Sequence, residues 1–220
     1  CPVRGPAPPE RLAGRNDAVA EVVRLIGFER RRCVTVRGAR GVGKTAVARA
    51  AAAFLADRGN LDVVCEVALG DVQTNASYED YFGLSPARRD DAVQRRIERR
   101  LVSVLADALE ALSGSPRTPA ARRVQDRTAI TESPDALAKA LASSDRRCLL
   151  VADGVTAENR VAVRRIATRL LAAAPALSVV TTGRVELSAG DLGERVVDLG
   201  PLDQIGMLST MHDSRHVRWK

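Results

Sequence analysis

Eight consecutive residues constrain this chain more than any others: Gly38, Ala39, Arg40, Gly41, Val42, Gly43, Lys44 and Thr45. They fit the pattern G-x-x-x-x-G-K-[ST], which a random chain of this length matches less than about 1% of the time. The run Cys33-Val34-Thr35-Val36 before them is β-rich, and helical periodicity follows through Ala46, Val47, Ala50 and Leu55 to Gly59. Glycines let the backbone curl until successive N–H groups face one concavity, and the next helix adds the positive end of its dipole. Lys44 supplies a compact cation for the β and γ phosphates, and the Thr45 hydroxyl is placed to coordinate Mg²⁺. The segment reads as a P-loop, with ATP or ADP as ligand, Gly38 to Thr45 as its phosphate cradle and Ala46 as a further nucleotide-binding residue.

The surrounding pattern sets the fold. Asn16 or Asp17 is positioned to cap a helix running to about Arg30, with Val19, Val22, Val23 and Ile26 on one face. Further strands are expected at Leu61 to Leu69, Cys148 to Ala152, Leu177 to Thr182 and, more weakly, Arg195 to Leu199. A long amphipathic helix is expected from Asp91 to Leu112 and another from Glu158 to Ala174. Segments 70–90 and 113–133 read as loops, and Ser133-Pro134 as a short helix start. Strands alternating with helices imply an α/β, three-layer P-loop NTPase fold, with a mainly parallel five-stranded sheet covered by helices on both faces. Ligands in such folds bind at the carboxyl ends of the strands.

A P-loop needs an acid on a neighbouring strand to hold the magnesium through water. Leu149-Leu150-Val151-Ala152-Asp153 offers one, so Thr45 and Asp153 are the candidate metal residues. The next position, Gly154, has no side chain, and the carboxylate that usually orients the attacking water is missing there. Hydrolysis is therefore expected to be slow, or to depend on Glu66 or Glu158. The strand from Leu177 ends in Thr182-Gly183-Arg184, and an arginine at the tip of the strand next to the P-loop strand can reach a terminal phosphate. Lys44, Asp153 and Arg184 are the candidate catalytic residues.

In this order the motifs resemble the NB-ARC domain of the STAND class of signal-transduction NTPases. The carriers are Leu12-Ala13-Gly14-Arg15 before a helix, GVGKTAVA from Gly41 to Ala48, LLVADGV, VTTGRVEL, and the segment from Arg195 to Leu208. The resemblance implies that Ala13, Gly14 and Arg15 border the adenine, that Arg184 senses the γ-phosphate, and that the protein is a cytoplasmic ATP/ADP switch acting through a protein partner or self-association. It covers residues 12–208, leaving 1–11 as a flexible lead-in and 209–220 as a basic tail. Gly154 stands where the family has its second acid, and the helical and winged-helix subdomains that normally follow do not appear. Met211-His212-Asp213 spells the family's MHD motif but lies too close to the sensor strand.

Charge and cysteines add less. The net charge is +7 with aromatics at 3%. The arginines are spread along the chain without interleaved stacking platforms, so nucleic acid is the lesser partner reading, as an AAA+-like ATPase whose helix 91–112 contacts phosphates. A non-hydrolysing, ADP-binding interaction module is the other alternative. Cys1, Cys33, Cys65 and Cys148 have neither metal-ligand nor CxxC spacing, and three of them fall in expected strands as small apolar residues. No run of eighteen apolar residues occurs, so no membrane partner is expected.

Overall fold

The computed structural model describes residues 12, 14–69, 85, 88–89, 91–92, 94–99, 102–103, 139, 142, 146–188 and 190–201. Among these, α1 (Asn16–Val23) leads directly into a π-helical turn (Arg24–Phe28), followed by β1 (Cys33–Gly38), α2 (Lys44–Asp57) and β2 (Val63–Ala68). After the intervening segment come β3 (Cys148–Val155), α3 (Arg160–Ala173), β4 (Leu177–Gly183), a 3₁₀ turn (Gly190–Leu192) and β5 (Arg195–Leu199). All four strand pairings are parallel, in the order β2-β3-β4-β1-β5.

Alternation along the strands divides the core in two. Val34, Val36, Val64, Leu149, Val151, Val180, Val197 and Leu199 face α1 and α2, where Val22, Val47, Ala51 and Leu55 meet them. Cys33, Cys65, Val67, Cys148, Leu150, Ala152 and Val179 face the other way, under α3 with Ile166 and Leu170. Strands of this kind carry apolar residues on both faces because helices cover both. Small side chains on α2, four of them alanines between Ala50 and Ala53, let that helix lie close to the sheet. The three layers and the five-stranded parallel sheet agree with the expectation from sequence.

Three local expectations change. The first helix is capped at Arg15, with no side-chain cap, rather than at Asn16 or Asp17, and its last turn widens to π geometry instead of continuing to Arg30. The Asp153 strand is not the neighbour of the P-loop strand, because β4 lies between β3 and β1. And β3 runs past Asp153 to Val155 through a bulge, where Gly154 takes φ 92. An Asp-Gly pair ordinarily signals a turn; here β4 keeps pairing with the chain beyond it, from Val155 to Gly183, so the strand survives the irregularity.

The arginine-rich helix is described only in part. Residues 94–99 are helical, and Ile97 and Val102 are buried in the core under α3. Val93, Leu101, Val104, Leu105, Ala108 and Leu112 lie outside the described residues, as do Ala13, Ser133, Pro134, Met211, His212 and Asp213. Among the described residues no helix is long and apolar enough to cross a membrane.

Candidate nucleotide-binding site

β1 ends at Gly38, and α2 begins at Lys44 with Gly43 as its N-cap residue in the left-handed region at φ 96. Only glycine takes that conformation readily, and it turns the chain so that the first, unpaired N–H groups of α2 open toward the carboxyl ends of the strands. Gly38 is needed for a different reason. A Cβ there would come 2.7 Å from the Leu199 carbonyl oxygen of the adjacent β5. The loop is thus bent at one end and pressed against β5 at the other.

Four polar groups converge on its mouth. Lys44 Nζ donates to the Ala39 carbonyl at 2.6 Å, which sets the ammonium over the bend. Burial lowers its pKa; the Asp153 carboxylate opposes that shift and the Arg184 guanidinium reinforces it. Thr45 Oγ1 donates to Asp153 Oδ1 at 2.6 Å. Thr182 Oγ1 donates to the same Asp153 oxygen, and the Gly154 N–H donates to Thr182 Oγ1 at 3.3 Å. The register explains this meeting: Asp153 pairs with Thr182, and Thr182 pairs with Val36 on β1, so all three positions lie at one level near the carboxyl edge.

β4 therefore does more than bring Arg184. It fills the gap between β1 and β3, and its Thr182, wholly buried, bridges that gap with a hydroxyl. Sequence reasoning singled out Arg184 in this motif and passed over Thr182, which reads as an ordinary strand threonine until the strand order is known. Arg184 itself is exposed at the strand tip, with its backbone N–H on the Val155 carbonyl at 3.3 Å. Gly183 before it is packed so tightly that a Cβ would lie 2.3 Å from that carbonyl oxygen.

The two acids considered for hydrolysis behave differently. Glu66, on β2, is almost buried and holds Arg49 of α2 through both oxygens, at 2.6 and 2.9 Å. These bonds raise the Arg49 pKa, and Asp153 adds to the effect, so the guanidinium lies within reach of the Asp153 charge. A carboxylate engaged by both Arg49 nitrogens is poorly placed to take a proton from water. The Glu158 carboxylate accepts a bond from Thr156 Oγ1 at 3.4 Å, in the loop between β3 and α3.

The residues present fit a nucleotide with magnesium. The Arg15 guanidinium is hydrogen-bonded to the Gly200 carbonyl at 2.7 Å, beside the end of β5. Its Nε is buried without a partner and lies 4.0 Å from where a Cβ on Gly43 would stand. An orphaned donor next to a phosphate-type loop is the kind of group that an anionic or heteroaromatic ligand satisfies. A hydroxyl and a carboxylate already in contact, Thr45 and Asp153, form the oxygen donor set that magnesium prefers. Gly14 adopts φ 68 ahead of Arg15, in the same corner.

No family model matches the sequence, and no curated protein does. Solved structures are similar to it, among them the following three. The Aeropyrum pernix ORC1 protein in complex with DNA matches at TM-score 0.51 and 17% identity, over 94% of this chain and 50% of that one. A DNA replication initiation factor matches at TM-score 0.47 and 15% identity, over 91% and 50%. A STAND protein with a tetratricopeptide repeat sensor from Pyrococcus horikoshii matches at TM-score 0.43 and 14% identity, over 96% and 27%. This chain spans half or less of the length of each. At these identities the likeness is one of fold, and the ORC1 structure carries it: the chain has the α/β, three-layer P-loop NTPase fold.

Proposed function

We propose that this chain binds ATP and ADP with Mg²⁺ and works as a nucleotide-dependent switch of the NB-ARC/STAND type, with slow hydrolysis. The observation that carries the reading is the convergence of Lys44, Thr45, Asp153 and Arg184 at the mouth of the loop from Gly38 to Thr45. The α2 N-terminus and Lys44 bind the β and γ phosphates. Thr45 and Asp153 hold the magnesium, which neutralises phosphate charge. Arg184, with no acid paired to it among the described residues, answers to the terminal phosphate. Gly14 and Arg15 border the base, in the role that the NB-ARC resemblance gives them together with Ala13. The bulge at Gly154 supports slow turnover: the backbone there takes a conformation that a side chain bearing a second acid disfavours, and Glu66 is engaged with Arg49.

The test is nucleotide binding by calorimetry. Wild-type protein is expected to bind ATP·Mg and ADP, and Lys44→Ala to bind neither detectably while keeping its thermal midpoint. Equal affinity in the two proteins would remove the P-loop from the assignment. A second reading, an ATPase that works on nucleic acid, draws on the +7 net charge and on the fold likeness to the ORC1 protein in complex with DNA. ATP-stimulated DNA binding that weakens steeply with salt would favour it over the switch.

A further inference from the structure

Arg184 sits on a turn, and its position depends on what holds that turn. After Gly183 the chain folds back beneath the sheet, on the face opposite α2. There Leu187 is buried in the core, Val185 and Leu192 pack against it, and the 3₁₀ turn Gly190–Leu192 follows. At its start the turn is pinned by the Arg184 N–H on the Val155 carbonyl. At its far side it is pinned by Glu194, whose Oε1 accepts the Leu187 N–H at 2.9 Å and the Thr35 hydroxyl at 2.5 Å.

Thr35 lies on β1, three residues before the P-loop, and is fully buried; its oxygen is 2.6 Å from the buried Thr181 hydroxyl of β4. A chain of hydroxyls thus runs Thr181 to Thr35 to Glu194, tying the turn that carries Arg184 to the strand that carries the P-loop. Directly above, on the other face of β4, Thr182 reaches Asp153. A second tie exists farther out, from Arg37 to Glu186 at 3.2 Å, but both side chains are well exposed and such a pair is screened by water and salt. Arg37 is in any case held by Asp198 through two bonds at 2.6 and 2.9 Å. Of these two ties, the inner one is the better shielded from water and salt.

We propose that Glu194 is a positioning residue: by holding Leu187 against Thr35 of β1, it sets the Arg184 guanidinium over the mouth of the P-loop and so determines how strongly the site prefers ATP to ADP. The proposal rests on the nucleotide-switch reading above and goes beyond it, since it gives a role to a carboxylate at the amino end of β5, away from the P-loop. Loss of the tie frees the turn beyond Arg184, whose backbone N–H stays on the Val155 carbonyl, and shifts the Arg184 guanidinium while leaving the loop, Lys44 and Thr45 in place.

The experiment compares affinities for ATP·Mg and ADP·Mg, by calorimetry, in wild type, Arg184→Ala, Glu194→Ala and Glu194→Gln. Arg184→Ala is expected to weaken ATP binding about tenfold, the loss of one charge-assisted hydrogen bond, and to leave ADP nearly unchanged. Glu194→Ala is expected to follow it, and Glu194→Gln, which keeps an acceptor oxygen, to restore most of the preference. A purely structural effect would lower the folded fraction and weaken both nucleotides alike, so the ratio separates the two roles. Should Glu194→Ala not fold, Thr35→Val removes the β1 end of the tie at nearly constant volume, and the same ratio decides. An ATP-to-ADP ratio in Glu194→Ala equal to that of wild type, with Arg184→Ala reduced, overturns the role of Glu194. A ratio untouched by Arg184→Ala overturns it too. Failure of the wild type to bind either nucleotide refutes the nucleotide reading itself, which is a separate result.

Discussion

Gly154 is the residue whose meaning changed most between sequence and structure. In the sequence it is an absence, the acid that the NB-ARC pattern would have there. In the structure it is a bulge at φ 92 in a strand that continues to Val155, with its N–H on Thr182 and its carbonyl taking the Asn159 amide at 3.1 Å. A β-carbon in that region is unfavourable by roughly 1–2 kcal/mol. Gly154→Asp is therefore expected to lower the urea midpoint by an amount equivalent to about 1–2 kcal/mol and to leave phosphate release at the wild-type rate. A variant of undiminished stability that hydrolyses ATP faster would show that the bulge accommodates a second acid after all.

At the scale of elements, the connection from β3 to α3 is held from outside itself. The α3 N-terminus has no side-chain cap from Asn159, which instead accepts the Thr156 N–H at 2.9 Å. The missing partner comes from the helical stretch 94–99: Gln94 Oε1 accepts the Ala162 N–H at 2.8 Å, and its amide donates to the Glu158 carbonyl at 2.6 Å. Arg165 of α3 adds an ion pair to Glu98. The arginine-rich helix is thus tied to the segment that follows Asp153. Gln94→Ala is expected to cost about 1 kcal/mol, the usual value of a lost cap, and to lower the thermal midpoint by about 2–4 °C. No change in midpoint would mean that water replaces the glutamine at no cost.

For the whole molecule, the apolar face under α3 sets a limit on alkaline stability. Cys33, Cys65 and Cys148 are buried there as free thiols. Burial pushes Cys33 and Cys65 up to about 12 and Cys148 to about 11, from an ordinary value of 9.0. Acidic neighbours add to the shift at Cys33 (Glu194 and Asp191) and at Cys148 (Asp62). A thiol raised in the folded state keeps its full contribution below the unfolded value and loses it as pH climbs toward the folded one. Stability should hold to about pH 9 and then fall by about 1.4 kcal/mol per pH unit for each thiol, up to about pH 11 for Cys148. Urea unfolding from pH 7 to 11 measures this, and Cys65→Val should remove one thiol's share of the slope. An identical slope in that variant would assign the alkaline loss to other groups.

Much of this was legible in the chain itself, because its local signals agree with one another. Periodicity and turn residues located β1, α2, β2, β4 and β5 within a residue or two, and G-x-x-x-x-G-K-T marked the glycine bend between β1 and α2 that is the candidate phosphate cradle. Those are short-range properties, written in consecutive residues. What the sequence could not contain was adjacency between distant segments. Placing β4 between β1 and β3 gave Thr182 its place on Asp153, and the turn after β4 joined Glu194 to Thr35. The Arg49 and Gln94 contacts arose in the same way, from α2 and the helical stretch 94–99 meeting partners far along the chain. Local pattern specifies elements and a cradle; only strand order and packing decide which side chains share a site, since hydrogen bonds between distant residues exist nowhere but in the assembled fold.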